Sequence, residues 1–165
     1  MIRPATPADQ AGIFALYKTV AAMPGGIARR PHEVSEAYVA GFMGEAAHGG
    51  IELVFEEDGR ILGEIHAATP GIACFAHLLT DLTIAIAPDA QGKGVGRRLF
   101  QALLDHVTAA MPHITRVELY ARDTNKRARA LYESLGFVEE GRLRARINNA
   151  SGEAETDTIM GWLRS

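Results

Sequence analysis

The chain has one cysteine, Cys74, and one tryptophan in 165 residues, and aromatic side chains make up only 7% of it. A single thiol can close no intramolecular disulfide and cannot build a metal site of several thiolates, which fits a reducing cytoplasm. Cys74 itself, between Ala73 and Phe75 in an apolar patch, reads as a small buried hydrophobe rather than a nucleophile. The six histidines are scattered without ligand spacing, so no metal is expected. No apolar run approaches the ~20 residues that span a bilayer, and the N-terminus has no basic-then-apolar leader pattern, so the expectation is a soluble, unprocessed protein that does not engage membranes. An excess of either charge is also missing. With 17 basic and 20 acidic residues interspersed and a formal net charge of -3, the chain offers no broad attraction to nucleic acid or to an acidic membrane surface.

What is present is an ordinary globular composition, 47% hydrophobic, over a length that fits one domain spanning residues 1–165. After a short strand at Ile2 to Pro4, Thr6, Pro7 and Asp9 give an N-cap, a proline at the first helical position and an acid in the first turn. Ile13, Leu16, Tyr17 and Val20 follow at helical spacing, and the helix stops before Pro24. A second helical pattern runs from Glu33 to Ala47 with Val34, Tyr38 and Phe42 on one face, the usual signature of core packing. Ile51 to Phe55 and Ile61 to Ala68 read as strands around an Asp58-Gly59 hairpin turn. The second strand carries Glu64 and His66 on one face by the two-residue period. They could polarise an amine, but an exposed sheet face is the simpler reading of them.

The most informative stretch is Asp81 to Arg98, a buried strand over Leu82 to Ala87, a turn opened by Pro88, a glycine-rich loop and the first turn of a helix. A helix entered through Gly92, Gly94 and Gly96 leaves backbone N–H groups unpaired at the positive end of its dipole, and glycine lets a bulky anion approach the chain. Lys93, Arg97 and Arg98 add positive charge. Neither the dinucleotide fingerprint nor the P-loop pattern is present. The pattern is Q-x-x-G-x-G from Gln91 to Gly96, after a strand and opening a helix. Further on, a strand at Val117 to Ala121 is followed by Asn125 and, seven residues later, by Tyr132 in A-L-Y-E-S-L-G-F, Ala130 to Phe137. Val95, Leu99, Leu103 and Val107 form the apolar stripe of the helix between them, and Gly136 caps the next. Strands at Phe137 to Ile147 and Glu155 to Leu163 close the chain.

These two motifs, in this order and in these contexts, resemble those of the GNAT superfamily of acetyl-CoA-dependent N-acetyltransferases. The resemblance is motif-specific from Asp81 to Phe137 and extends in element order over nearly the whole chain. It implies a single-domain α/β fold with a mixed, mostly antiparallel sheet flanked by helices. It implies acetyl-CoA as acyl donor, with the pyrophosphate on the loop from Gln91 through Gly92, Lys93, Gly94, Val95 and Gly96 to Arg97, and the pantetheine arm along the backbone of Ile84, Ala85 and Ile86. Tyr132 matches the family's general acid. Asn125 would contact the pantetheine portion or fix Tyr132, or else it is a plain helix N-cap. The loop and helix between Met23 and Tyr38 would form one wall of the acceptor site. The general base is less defined: where some ribosomal-protein N-terminal acetyltransferases of the superfamily carry Glu, this chain has Tyr120. Asp81 is taken ahead of Glu118 as the base, with a water relay as an alternative.

The reading that follows is a cytoplasmic N-acetyltransferase that moves an acetyl group to a primary amine of a small molecule such as an amino acid, by direct attack in a ternary complex. A protein N-terminus as acceptor and a non-catalytic acyl-CoA sensor are the alternatives. Many superfamily members are dimers, and the last strands or the apolar 72–79 region are where a homodimer interface would form.

Overall fold

The computed structural model describes residues 1–165 as seven strands and four α-helices: β1 (Ile2–Pro4), α1 (Gln10–Ala21), α2 (Glu36–Ala47), β2 (Ile51–Glu57), β3 (Arg60–Ala68), β4 (Leu78–Ile86), α3 (Val95–Ala110), β5 (Arg116–Arg122), α4 (Lys126–Ser134), β6 (Val138–Asn148) and β7 (Ala154–Leu163). The strands form one sheet in the order β1-β2-β3-β4-β5-β7-β6, and every pairing is antiparallel except β4 with β5. This is the expected α/β architecture. Helices α1 and α2 cover one face of the sheet over β2 and β3, while α3 and α4 pack on the other. The moderate length of the chain therefore still gives a continuous core on both sides of the central strands, in which Ile13, Tyr17, Ile65, Leu79, Leu99, Phe100 and Leu103 are fully buried.

Local signals place most element ends where they were expected. Thr6 and Pro7 open a 3₁₀ turn that runs into α1, and the Asp9 carboxylate accepts from both the Thr6 N–H and its hydroxyl. The second helix begins later than the sequence pattern suggests. Pro31 starts a separate 3₁₀ turn, Val34 is extended, and Ser35 caps α2 by accepting the Tyr38 N–H at 3.1 Å. Val34 is buried nonetheless, because an extended residue just before a helix can drop its side chain into the same core.

Two expectations fail. Cys74 is exposed, in a 3₁₀ turn of the β3–β4 connection together with exposed Ile72 and Phe75. The patch is apolar, but no layer of the fold lies over it. Glu64 and His66 do not lie on an exposed sheet face either: they are 0% and 5% exposed, roofed by α1 and α2. Sequence alternation assigns the two residues to one face and cannot say which face the helices cover.

The feature that shapes the site is where β4 leaves β5. The two strands pair only at Leu78 with Arg116 and Leu79 with Val117. The β3–β4 register shifts between His66 and Ala68, opposite Asp81, which has φ +53. A bulge of this kind bends its strand and strengthens the local twist. Beyond it the N–H and C=O groups of Leu82 to Ile86 on the β5 side have no strand partner, and a cleft opens in the middle of the sheet.

Candidate active site

The cleft is a cavity of about 680 Å³. Its walls come from β4 (Leu82, Thr83, Ile84, Ile86), the glycine loop with the start of α3, β5, α4 and the 25–28 loop after α1. Separate stretches of sequence thus converge on one volume because a strand is missing from the sheet there.

The glycine loop forms as the composition requires. Gly92 and Gly94 have φ of +75° and +78°, a region where a Cβ is strained, and Gly94 is the N-cap of α3. The Arg98 N–H donates to the Gly94 carbonyl, so the N–H groups of Val95, Gly96 and Arg97 stand ahead of the first helical bond with no helical acceptor. Gln91 braces the loop by donating its side-chain amide to the Ile86 carbonyl at 3.2 Å. Arg97 donates to Ser134 Oγ at 2.7 Å, and Arg127 from α4 comes within 3.9 Å of where a Cβ on Gly92 would stand. Arg127 was not among the sequence candidates, since nothing in the spacing of α4 shows that its first turn lies over the loop. Lys93 lies on the outer side of the loop, away from the cavity lining. Ile84 and Ile86 line the cavity, whereas Ala85 is buried on the opposite face of β4.

Tyr132 stands on α4, 9% exposed, on the cavity wall. Its ring packs against Phe100, with centroids 5.0 Å apart, and against Phe137 at 6.2 Å. Burial alone pushes its phenol up to about 12. Asn125 caps α4, its Oδ1 accepting the Ala128 N–H at 3.1 Å, and it too lines the cavity. The cap sets the start of the helix and with it the position of Tyr132 two turns later.

Asp81 is not brought to this wall. It is exposed at the bulge and is absent from the cavity lining. Glu118 is already engaged by Thr80 Oγ1 at 3.0 Å and Arg116 Nε at 3.1 Å. Within the lining the only carboxylate is Asp157 of β7, which sequence reasoning missed because its place depends on the pairing of β7 with β5. Outside it, the cleft broadens into a mouth of about 1010 Å³ between the 21–33 segment and the β6–β7 turn, lined by Arg29, Arg30, His32 and Arg122 against Glu33 and Glu155. No group of three His, Cys, Asp or Glu residues is arranged to hold a metal ion.

A family profile described as Acetyltransferase (GNAT) domain matches residues 48–139, which takes in the cleft strand, the glycine loop and Tyr132. The chain belongs to this family. A stretch of 70 residues is 43% identical to N-alpha-acetyltransferase RimI of Mycobacterium tuberculosis, covering 42% of this chain and 40% of that protein. A longer match, 28% identical over 138 residues, covers 83% of this chain and 78% of the L-amino acid N-acyltransferase MnaT of Escherichia coli. The matched stretches span only 18% and 39% of the length of two other curated relatives, a mycothiol acetyltransferase of Beutenbergia cavernae and a spermidine N(1)-acetyltransferase of Vibrio cholerae. In fold, the chain superposes with a TM-score of 0.87 on a ribosomal-protein-alanine N-acetyltransferase from Brucella melitensis, at 23% identity over 99% of both chains. A phosphinothricin acetyltransferase from Sinorhizobium meliloti, solved in complex with AcCoA, gives 0.86 at 24% identity, covering 99% of this chain and 87% of that one. No helix of this chain is long and apolar enough to cross a membrane.

Proposed function

We propose that this chain transfers an acetyl group from acetyl-CoA to the primary amine of a small molecule such as an amino acid, by direct attack in a ternary complex. The observation that carries the reading is convergence: the unpaired edge of β4, the N–H groups of the glycine loop and the phenol of Tyr132 all face one cleft. The GNAT family match and the likeness to an amino acid N-acyltransferase over most of both chains support it.

On this reading the loop amides of Gly92 to Arg97 hold the donor's diphosphate, with Arg97 and Arg127 adding charge. The β4 edge from Leu82 to Ile86 pairs with the peptide-like pantetheine arm as a missing strand would. The acceptor enters from the mouth beside the 25–28 loop, so that donor and acceptor meet from opposite sides of the sheet. Tyr132 donates to the departing thiolate. A free phenol and a thiol differ by only about 1.5 in pKa, but with Tyr132 at about 12 the gap to a thiol of ~8.5 widens to about 5 kcal/mol. The same burial raises the thiolate's own proton affinity, so the proton moves as the leaving group develops charge inside the cleft rather than beforehand. A primary amine with a pKa of ~10.4 is mostly protonated at neutral pH, which adds about 4 to 5 kcal/mol unless the proton is removed. Asp81, at the exposed bulge, acts as base through water, since it lines no part of the cleft.

The test is release of CoA thiol from acetyl-CoA across amino acids, polyamines, aminoglycosides and short peptides with free N-termini. Turnover with amino acids or their analogues is the expected result. Turnover with peptides alone would move the acceptor to a protein N-terminus, and tight acetyl-CoA binding with no thiol release from any amine would leave a sensor module.

A further inference from the structure

We propose that Asp157 is the carboxylate that receives the acceptor's ammonium group. The proposal rests on the acetyltransferase reading above and adds the residue that anchors the second substrate.

Asp157 lies on β7 opposite Arg122 of β5, and is 4% exposed. A carboxylate buried to that degree is costly unless it is paired and hydrogen-bonded. Its pairing is lopsided. Oδ2 accepts from Arg146 Nη1 at 2.8 Å, while no protein group donates to Oδ1. The partner is itself a half-open one: the Arg146 side chain is 43% exposed and its guanidinium carbon sits over the Tyr120 ring, 4.0 Å from the centroid. Arg146 reaches this position because β6 breaks register between Leu143 and Ile147, with Ala145 at φ +54. A non-glycine residue there is strained, and the strain persists only where surrounding contacts hold it. The break therefore serves to bring a solvent-facing arginine to a buried carboxylate.

The surrounding charges sharpen the argument. Arg97, Arg122 and Arg127 also line the cleft, and Asp157 is its only anion. With Arg97 and Arg127 given to the donor's diphosphate, Asp157 is the one carboxylate of the lining on offer to an ammonium group, and its Oδ1 remains to accept an N–H. Glu155, two residues along β7, lines the outer mouth near Arg122 at 3.8 Å and does not line the inner cleft. The substrate amine takes Oδ1 while Arg146 stays on Oδ2, so the positive charge of Arg146 works against that of the substrate.

Steady-state thiol release with the best amine of the panel tests this. Asp157→Asn raises the KM for the amine at least tenfold and leaves the KM for acetyl-CoA within twofold. Asp157→Glu, which keeps the charge but shifts it by one carbon, raises the amine KM two- to fivefold, and serves as the main comparison if the Asn variant does not fold. Arg146→Met removes the competing cation and lowers the amine KM. A purely structural ion pair predicts something else, that Asp157→Asn and Arg146→Met raise the amine KM together. That result, or an unchanged amine KM in both Asp157 variants, overturns the proposal while the wild-type activity stands. A wild-type protein that binds acetyl-CoA and turns over no amine overturns the acetyltransferase reading and this proposal with it.

Discussion

The phenol of Tyr17 donates to Glu64 Oε2 at 2.5 Å, and the other oxygen of that carboxylate is paired with His66 Nδ1 at 3.0 Å. Phe42 closes the group from α2, stacked on the imidazole with ring centroids 4.1 Å apart. The residues come from α1, β3 and α2, so one buried carboxylate ties both helices to the central sheet. Tyr17→Phe leaves Glu64 short of a donor and should destabilise the fold by about 1 to 3 kcal/mol. Glu64→Leu, which strips His66 of its counter-charge, should cost about 3 to 5 kcal/mol. Urea unfolding of the two variants measures both, and a loss under ~0.5 kcal/mol in each would mean that the network is only tolerated.

The same region sets a pH dependence. Burial, followed by the charge of Glu64, pushes Glu52 up to about 8 from its ordinary value of 4.5. Burial pulls His66 down, but the charge and hydrogen bond of Glu64 outweigh it and hold the imidazolium above its ordinary value. A raised pKa in the folded state contributes stability that is full below the unfolded value and is lost as pH rises through the folded one. Glu52 therefore weakens the fold from about pH 5 to pH 8, and His66 does so as pH rises above about 6.5, each by at most about 1.4 kcal/mol per pH unit. Asp9, held well below the usual carboxylate range by its hydrogen bond from Arg3, acts in the opposite sense, and its stabilisation is lost as pH falls below 3.8. Thermal melts between pH 4 and 9 should show this decline toward alkaline pH, and Glu52→Gln should flatten it. A melting temperature that rises from pH 5 to 8 in the wild type would contradict the assignment.

Removing the Tyr132 hydroxyl should separate chemistry from binding. Tyr132→Phe keeps the ring against Phe100 and Phe137, so the fold and acetyl-CoA affinity should hold, while kcat falls by about 10²- to 10⁴-fold. Because burial places the phenol at about 12, its ionisation should produce no fall in rate below about pH 10. A variant with full turnover would remove Tyr132 from the reaction.

The glycine loop makes a separable prediction. Gly94→Ala puts a Cβ on a residue at φ +78°, where nothing lies within 4 Å to clash with it, so the penalty is backbone strain of about 1 to 2 kcal/mol. The strain falls on the N-cap of α3, whose N–H groups are assigned to the diphosphate. Affinity for CoA, measured calorimetrically, should drop about tenfold with little change in the amine KM. An unchanged CoA affinity would move the diphosphate away from this loop.

The sequence by itself determined most of what depends on neighbours along the chain, the late start of α2 at Ser35 being the exception. Alternation and helical period marked the strands and helices, Thr6, Pro7 and Asn125 marked helix starts, and the glycines after β4 announced an anion cradle, because each is a local backbone requirement. The spacing of Asn125 and Tyr132 belongs to the same class, since one helix fixes both. Only the tertiary structure decided which sheet face the helices cover, and so turned Glu64 and His66 from surface residues into a buried pair while leaving Cys74 outside. It also decided where β4 parts from β5, which left Asp81 on the surface and made Asp157, two strands away in the sheet and 76 residues later in the chain, the one carboxylate of the cleft. Strand pairing across such separations is set by packing of the whole sheet, and no local pattern encodes it.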